Sequence, residues 1–363
     1  MQEGNRIRKI NIVKEPSVVC SNPNSMHNYF GWPSIARLQD GSLMTVASGF
    51  RISHICPFGK VVACRSFDDG ASWSAPEVIA DTPLDDRDGG IMTFGKSGVM
   101  VATFNNAPSF QRKHCQAKLT YANAYLDEVE KRGDWQRYLG SSLVISNDGG
   151  STFGDPVIVP ISSPHGPCEL NDGTVFYVGR LFDDVNSVSH IECHTVTADG
   201  KTSLRSRIEN VPGLLSCEPH AIQLQGGRII VHIRVQGERS PGNSVFTIYQ
   251  SVSDDNGYTF SAPVQLISDK GGSPAHLINH SSGTLISVYG YREKPYGIRA
   301  MFSLDGGESW DTDNVLLCDE PSGDLGYPAS VELEGGDILT VFYTRDSSGC
   351  ASVIKQVVWN FEK

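Results

Sequence analysis

The sequence has no apolar run long enough to cross a membrane as a helix, and its first residues, MQEGNRIRKI, carry no apolar core of the kind a secretory leader needs. A membrane-spanning chain is therefore not expected. A leader removed in processing would leave the same sequence, so cytoplasmic and secreted locations both stay open. No C-x-x-C or C-x-x-C-H pairing occurs among the nine cysteines, and an odd number cannot all be bridged within one chain, a pattern that points to a reduced protein. Positive charge is scarce as well: 30 Lys and Arg stand against 41 Asp and Glu, a formal net charge of −11. That balance argues against nucleic acid or an anionic membrane as a partner, because both demand a basic surface, and an anionic small substrate would need a local basic pocket.

What is plentiful is turn chemistry. The 363 residues include 37 Gly and 19 Pro with a hydrophobic fraction of 39%, which suits many short strands joined by tight turns around a substantial core. A pattern of apolar strand, polar-glycine turn and apolar strand recurs as GWPSIARLQDGSLMTVAS, GGIMTFGKSGVMVATF, HGPCELNDGTVFYVGR, EPHAIQLQGGRIIVHIR, SPAHLINHSSGTLISVYGYR and GYPASVELEGGDILTVFYTR. The turn glycines Gly41, Gly98, Gly173, Gly227, Gly283 and Gly336 lie at roughly 55-residue intervals, the size of a four-stranded propeller blade, with one longer gap. The expectation is a single all-β domain over residues 1–363, a six-bladed β-propeller of four-stranded antiparallel blades. The longer gap holds Leu119, Ala122, Leu126 and Val129 at helical spacing and predicts a short helical insertion in blade 2, about residues 108–138. The segment INIVKEPSVV near the N-terminus supplies a strand that can complete the last blade and cover its edge.

A second repeat, S-x-D-x-G-x-[ST]-[WF], surrounds Asp68, Asp148, Asp255 and Asp305, with a vestige at Asp199. Its physics is local: the aspartate accepts backbone N–H groups across a tight turn, glycine supplies a positive φ, and the aromatic packs between blades. This is the Asp-box, or BNR repeat, and with it the chain resembles the sialidase superfamily.

Strand order decides which residues share a face. Residues just before the first strand and just after the second strand of each hairpin lie at one end of the propeller, while the aspartate turns lie at the other. The first set contains Trp32, Asp88, His165, Glu218, His220, His276 and Tyr327; the second contains Arg51, Arg180, Arg234, Arg292 and Arg345. Guanidinium groups gathered on one face of an acidic protein suggest recognition of a carboxylate.

The resemblance implies roles for these positions. Sialidases use a tyrosine nucleophile, activated by a glutamate, with three arginines on the substrate carboxylate and an aspartate as general acid. Tyr327 in GYPASVEL is similar to that tyrosine, and Glu218 in SCEPHAIQL to the glutamate. Arg234 is similar to the second arginine, and Arg292 or Arg299 would supply the third. Where the first arginine would stand the chain has Gly31-Trp32-Pro33, for which the resemblance implies partial compensation by Arg51, and the loop RISHICPFGK offers His54 in place of the acidic residue. Asp88, with Asp85 and Asp86, is the rival proton donor.

The resemblance implies a retaining exo-glycosidase that removes a terminal acidic sugar, sialic acid or a related keto-acid sugar, from a glycan without metal or cofactor. Two other classes remain open from sequence. His54, His165, His220 and His276 near one mouth raise a metal-assisted glycan lyase or hydrolase, and loss of the usual acid raises a non-catalytic glycan-binding propeller.

Overall fold

The computed structural model describes residues 7, 9–115, 119–181 and 190–363. Each repeated hairpin folds as an antiparallel pair; Leu215–Gln223, for example, lies against Ile229–Ser240 with Ile222 opposite Ile230. The strand cores are continuous apolar runs because both of their faces are covered: Val99, Met100 and Val101 are all fully buried.

Four sheets stand as separate blades. They begin at Arg87–Phe94, Ile161–Ser162, Leu215–Gln223 and Ala275–Asn279 and end at Val157–Val159, Thr202–Ile208, Val264–Gln265 and Asp311–Leu317. Each packs face to face on the next. Leu170, Phe176 and Ile191 of one sheet, for instance, share a cluster with Ile229, Val231 and Ile233 of its neighbour. Another cluster joins Tyr29, Phe30 and Leu43 to Tyr327, Leu339 and Val341, so the first and last hairpins of the chain close the arrangement.

At that closure the structure corrects the expectation of six four-stranded blades. The remaining strands form one continuous eight-stranded sheet, leaving four discrete blades. The reason is a parallel junction between Tyr29–Arg37 and Ser352–Glu362 at Tyr29 and Ser352. The Ser352 amide donates to the Asn28 carbonyl at 3.1 Å and its hydroxyl to the Phe30 carbonyl at 2.7 Å. The N-terminal strand Lys9–Cys20 adds antiparallel to Ser352–Glu362 and covers what would otherwise be an open edge.

Between Gly98–Phe104 and Ser141–Ser146 the chain leaves the sheet for two helices, Pro108–His114 and Thr120–Arg132, and a 3-10 turn, Asp134–Tyr138. Ala122, Leu126 and Val129 are the buried stripe of the second helix. Residues 116–118 of the expected insertion lie outside the described residues. No helix among the described residues is long and apolar enough to cross a membrane.

The aspartate turns are built alike. Asp148 accepts the Thr152 amide at 2.9 Å, the Thr152 hydroxyl at 2.6 Å and the Ser146 hydroxyl at 2.7 Å; Asp68, Asp255 and Asp305 repeat the pattern with Ser72, Thr259 and Ser309. The turn at Asp199 differs, with Thr197 and Lys201 as its partners. Three of the regular turns dock on the preceding sheet, and the Asp68 turn docks on the C-terminal strands of its own fused sheet. Trp310 Nε1 donates to Gln250 at 2.8 Å and Trp73 Nε1 to Gln356 at 2.9 Å. A Cβ on Gly307, held at φ 87, would come within 2.5 Å of Ile230 Cδ1, so glycine is required by contact as well as by conformation.

Side-chain and backbone hydrogen bonds hold the Asp68 and Asp255 carboxyls down to about 2, below the ordinary 3.8. A group depressed in the folded state contributes stability above its unfolded value that is lost as pH falls through its folded value. The melting temperature is accordingly expected to drop between about pH 4 and pH 2, and to drop less steeply in an Asp68→Asn, Asp255→Asn variant. An identical pH profile for variant and parent in scanning calorimetry would contradict this role.

Candidate active site

The inner strand of several sheets begins with a break in register. Partners slip between Gly31 and Ser34, between Arg87 and Gly90, between Cys217 and His220, and between Gly326 and Ala329. Inside these breaks lie Trp32, Asp88, Glu218 and Tyr327, all non-glycine residues in the left-handed region, at φ 54, 61, 48 and 48. Proline or glycine follows each of them. A bulge of this kind swings the side chain out of the alternating pattern of the strand and aims it along a new direction. The backbones meet closely there: a Cβ on Gly90 would lie 2.2 Å from the Gly166 amide nitrogen.

The result for Glu218 and Tyr327 is a shared hydrogen-bond cluster with Arg234. The Tyr327 hydroxyl contacts both Glu218 carboxylate oxygens, at 2.8 and 2.9 Å. Arg234 Nη1 donates to Glu218 Oε2 at 2.6 Å and to the Tyr327 hydroxyl at 2.9 Å, and Gln236 holds the other edge of its guanidinium. The Arg292 guanidinium lies 5.8 Å from the Tyr327 ring centroid and donates to the Leu325 carbonyl at 2.9 Å and to the Tyr343 hydroxyl at 3.3 Å. Phe246 packs under both arginines. Burial, reinforced by the Glu218 charge, raises the Tyr327 phenol well above its ordinary value, so it is protonated at neutral pH.

Asp88 is also enclosed, at 6% exposure, and makes no hydrogen bond among the described residues. Burial pushes its carboxyl up to about 7; Arg87 opposes that rise and the Glu218 charge adds to it. His54 goes the other way. Burial and then the charges of Arg87 and Arg51 push it down to about 3, so its imidazole is neutral at physiological pH. Its Nδ1 is 3.4 Å from the Tyr29 hydroxyl and its Nε2 is 3.4 Å from Arg87 Nη2.

Trp32 is 1% exposed and walled by His54, Tyr29, Tyr343 and the Arg87 guanidinium, the last 4.2 Å from its ring centroid. Arg51 does not reach the cluster. It has no exposed surface, pairs with Asp85 at 2.6 Å and donates to Ser48 and to the Asp86 and His54 carbonyls. Arg299 is likewise spent on backbone, donating to the Leu317 carbonyl at 2.8 Å on the far side of its sheet.

His165, His220 and His276 gather beneath Tyr327 with ring centroids 4.3 to 5.6 Å apart, His165 lying 6.3 Å from the tyrosine ring. Burial lowers all three, leaving them neutral. The Nδ1 atoms of His220 and His276 accept the Leu277 and Ser330 amides, so those nitrogens are already occupied. Among the described residues no group of three or more His, Cys, Asp or Glu has the geometry of a metal site. Arg180 faces a cavity of about 810 Å³ that Glu218 also lines.

Sequence reading passed over Arg87 and Asp324. Asp324 accepts from Tyr29 at 3.0 Å, Tyr343 at 3.2 Å and Arg345 at 2.9 Å, anchoring the aromatic wall beside Trp32. Arg87 could have been found by its place next to Asp88; Asp324, in a loop, left no comparable signal.

A ring of packed sheets whose bulged inner strands deliver polar side chains to one cluster defines a propeller of the BNR class. The BNR repeat-like domain model matches residues 124–340, more than half of the chain, and the protein belongs to that family. No curated protein matches it in sequence. Among solved structures it is similar in fold to a protein of unknown function from Dyadobacter fermentans, with a TM-score of 0.78 and 19% identity over 98% of this chain and 100% of that one. A Hadza microbial sialidase gives 0.68 and 15% over 95% of this chain and 68% of the other. An α-L-arabinofuranosidase of Fusarium graminearum solved with arabinobiose gives 0.62 and 13% over 98% and 97%.

A carboxyl raised in the folded state binds its proton more tightly there, so it contributes stability below about pH 4 that is lost as pH rises through about 7. Infrared difference spectra are expected to show the Asp88 carboxylic-acid band disappearing near pH 7, and the band to be missing in Asp88→Asn. Asp86, buried and also raised to about 7, serves as the internal comparison. Loss of the Asp88 band below pH 5 would contradict the assignment.

Proposed function

We propose that this protein is a retaining exo-glycosidase that removes a terminal acidic sugar from a glycan. One observation carries the reading: the Tyr327 hydroxyl is hydrogen-bonded to Glu218 while Arg234 bridges the two. A buried phenol is a poor nucleophile until a neighbouring base takes its proton, and Glu218 is the base in contact. In the first step the proton passes to Glu218, the Tyr327 oxygen bonds to the anomeric carbon, and the glycosidic bond breaks with its electron pair on the leaving oxygen. Asp88, protonated up to about pH 7, supplies the proton that the leaving oxygen needs. In the second step the Asp88 carboxylate takes a proton from water, the water oxygen bonds to the anomeric carbon, and Tyr327 leaves and recovers its proton from Glu218. Two displacements return the original anomeric configuration.

Asp88 suits the acid role better than His54, because an imidazole lowered to about 3 has no proton to give at neutral pH. Arg292, which keeps donors beyond its two observed bonds, and Arg234 support an acidic sugar, whose carboxylate they would hold.

A second reading has an observation of its own. Trp32 stands where the sialidase resemblance calls for an arginine, and the similar arabinofuranosidase structure matches end to end, which favours a neutral pentose.

A panel of aryl glycosides tests both. Turnover of the N-acetylneuraminic acid ketoside is expected, with kcat lowered at least about a thousandfold in Tyr327→Phe and KM raised about tenfold in Arg292→Met. The kcat/KM should fall above about pH 7, and Asp88→Asn should remove that limb. Turnover of the α-L-arabinofuranoside alone would transfer the substrate to the second reading. Full activity in Tyr327→Phe would sink the mechanism.

A further inference from the structure

The cavity that Arg180 faces lies between the helical insertion and the sheets, and Glu218 forms part of its wall. Cationic side chains reach it from two directions, Arg180 from its strand and Lys113 from the first insertion helix, which also contributes His114. Among the described residues the lining holds one carboxylate, Glu218, whose charge Arg234 already meets at 2.6 Å. In a protein of net charge −11 such a wall is locally positive against the background.

Arg180 is the informative member. Its Nε is buried without a hydrogen-bond partner, and the residue makes no ion pair among the described residues. A guanidinium that lines a cavity and has no ion-pair partner among the described residues is available to an anion that enters that cavity. Lys113, exposed on the helix, has no ion pair among the described residues either. The remaining wall carries the rings of Phe104, Phe110 and Trp135, flat apolar faces that suit the C–H side of a sugar.

We propose that this cavity is a second anion-recognition subsite, which receives a carboxylate or sulfate carried by the glycan in addition to the group held by Arg234 and Arg292. It rests on the glycosidase reading in one respect: because Glu218 borders both spaces, the second anion belongs to the same substrate. The substrate class is thereby narrowed to glycans with two acidic groups, one at the bond that is cleaved and one beside the insertion.

Calorimetric titration with galactose 6-sulfate, glucuronate and galactose tests this without turnover. The wild-type protein should bind at least one of the two acidic sugars about tenfold more tightly than galactose, as charge-assisted hydrogen bonds to a guanidinium predict. Which acid holds the advantage assigns sulfate or carboxylate. Arg180→Met should abolish the advantage, and Lys113→Met, at an exposed helix position where folding is not at stake, should reduce it about threefold. Equal binding of the three sugars overturns the proposal. So does an advantage that survives both substitutions and vanishes in Arg292→Met, which would locate the anion at the clamp. A protein that keeps the Arg180-dependent advantage yet turns over no glycoside would overturn the glycosidase reading alone.

Discussion

The site depends on a backbone constraint: four side chains stand at the heads of inner strands in the left-handed region, where residues with a Cβ are disfavoured. Trp32, Asp88, Glu218 and Tyr327 each cost about 1–3 kcal/mol in that conformation. Packing of sheet against sheet offsets the cost, with clusters such as that of Tyr29, Phe30 and Val341 holding the inner strands from both sides. Regular strands would have turned these residues alternately into the two inter-sheet cores. The register breaks release them from the alternation, and so the same geometry that strains the backbone builds the site.

The electrostatics divide what the backbone gathers. Glu218 is held by a guanidinium, Tyr327 is kept protonated by burial, and Asp88, buried without a hydrogen-bond partner among the described residues, keeps its proton to about pH 7. Under the proposed mechanism Glu218, Tyr327 and Asp88 would serve as base, nucleophile and acid. The histidine group beneath them is neutral and holds backbone amides through His220 and His276. The aspartate turns have no part in this. They lie in exposed turns and tie each turn to the neighbouring repeat through Trp73, Trp310 and the packed glycines.

Much of this was legible in the chain. Strand pairs follow from the apolar runs and turn glycines, and the meeting of Glu218, Arg234, Arg292 and Tyr327 follows from their equal places relative to those pairs. Spacing could not tell an arginine that faces the cluster from one that is consumed on the way. Arg51 pairs with Asp85 in the interior, and Arg299 turns to backbone carbonyls, outcomes fixed by tertiary neighbours rather than by spacing. The fused sheet was illegible for the same reason. Its junction is a parallel pairing of Tyr29 with Ser352 between the two ends of the chain, which no hairpin repeat encodes. The opposite shifts of His54 and Asp88 were equally hidden, because both come first from burial, which keeps an imidazole neutral and a carboxyl protonated.

The most direct test of the account is chemical identification of the residue that becomes glycosylated. An aryl glycoside fluorinated next to its anomeric carbon slows breakdown of any covalent intermediate, so the protein can be quenched, digested and its peptides weighed. The account predicts one sugar mass on the peptide that contains Tyr327, absent when Tyr327 is replaced by Phe. A turning-over protein that carries the label on Glu218 or Asp88, or carries none, would contradict it.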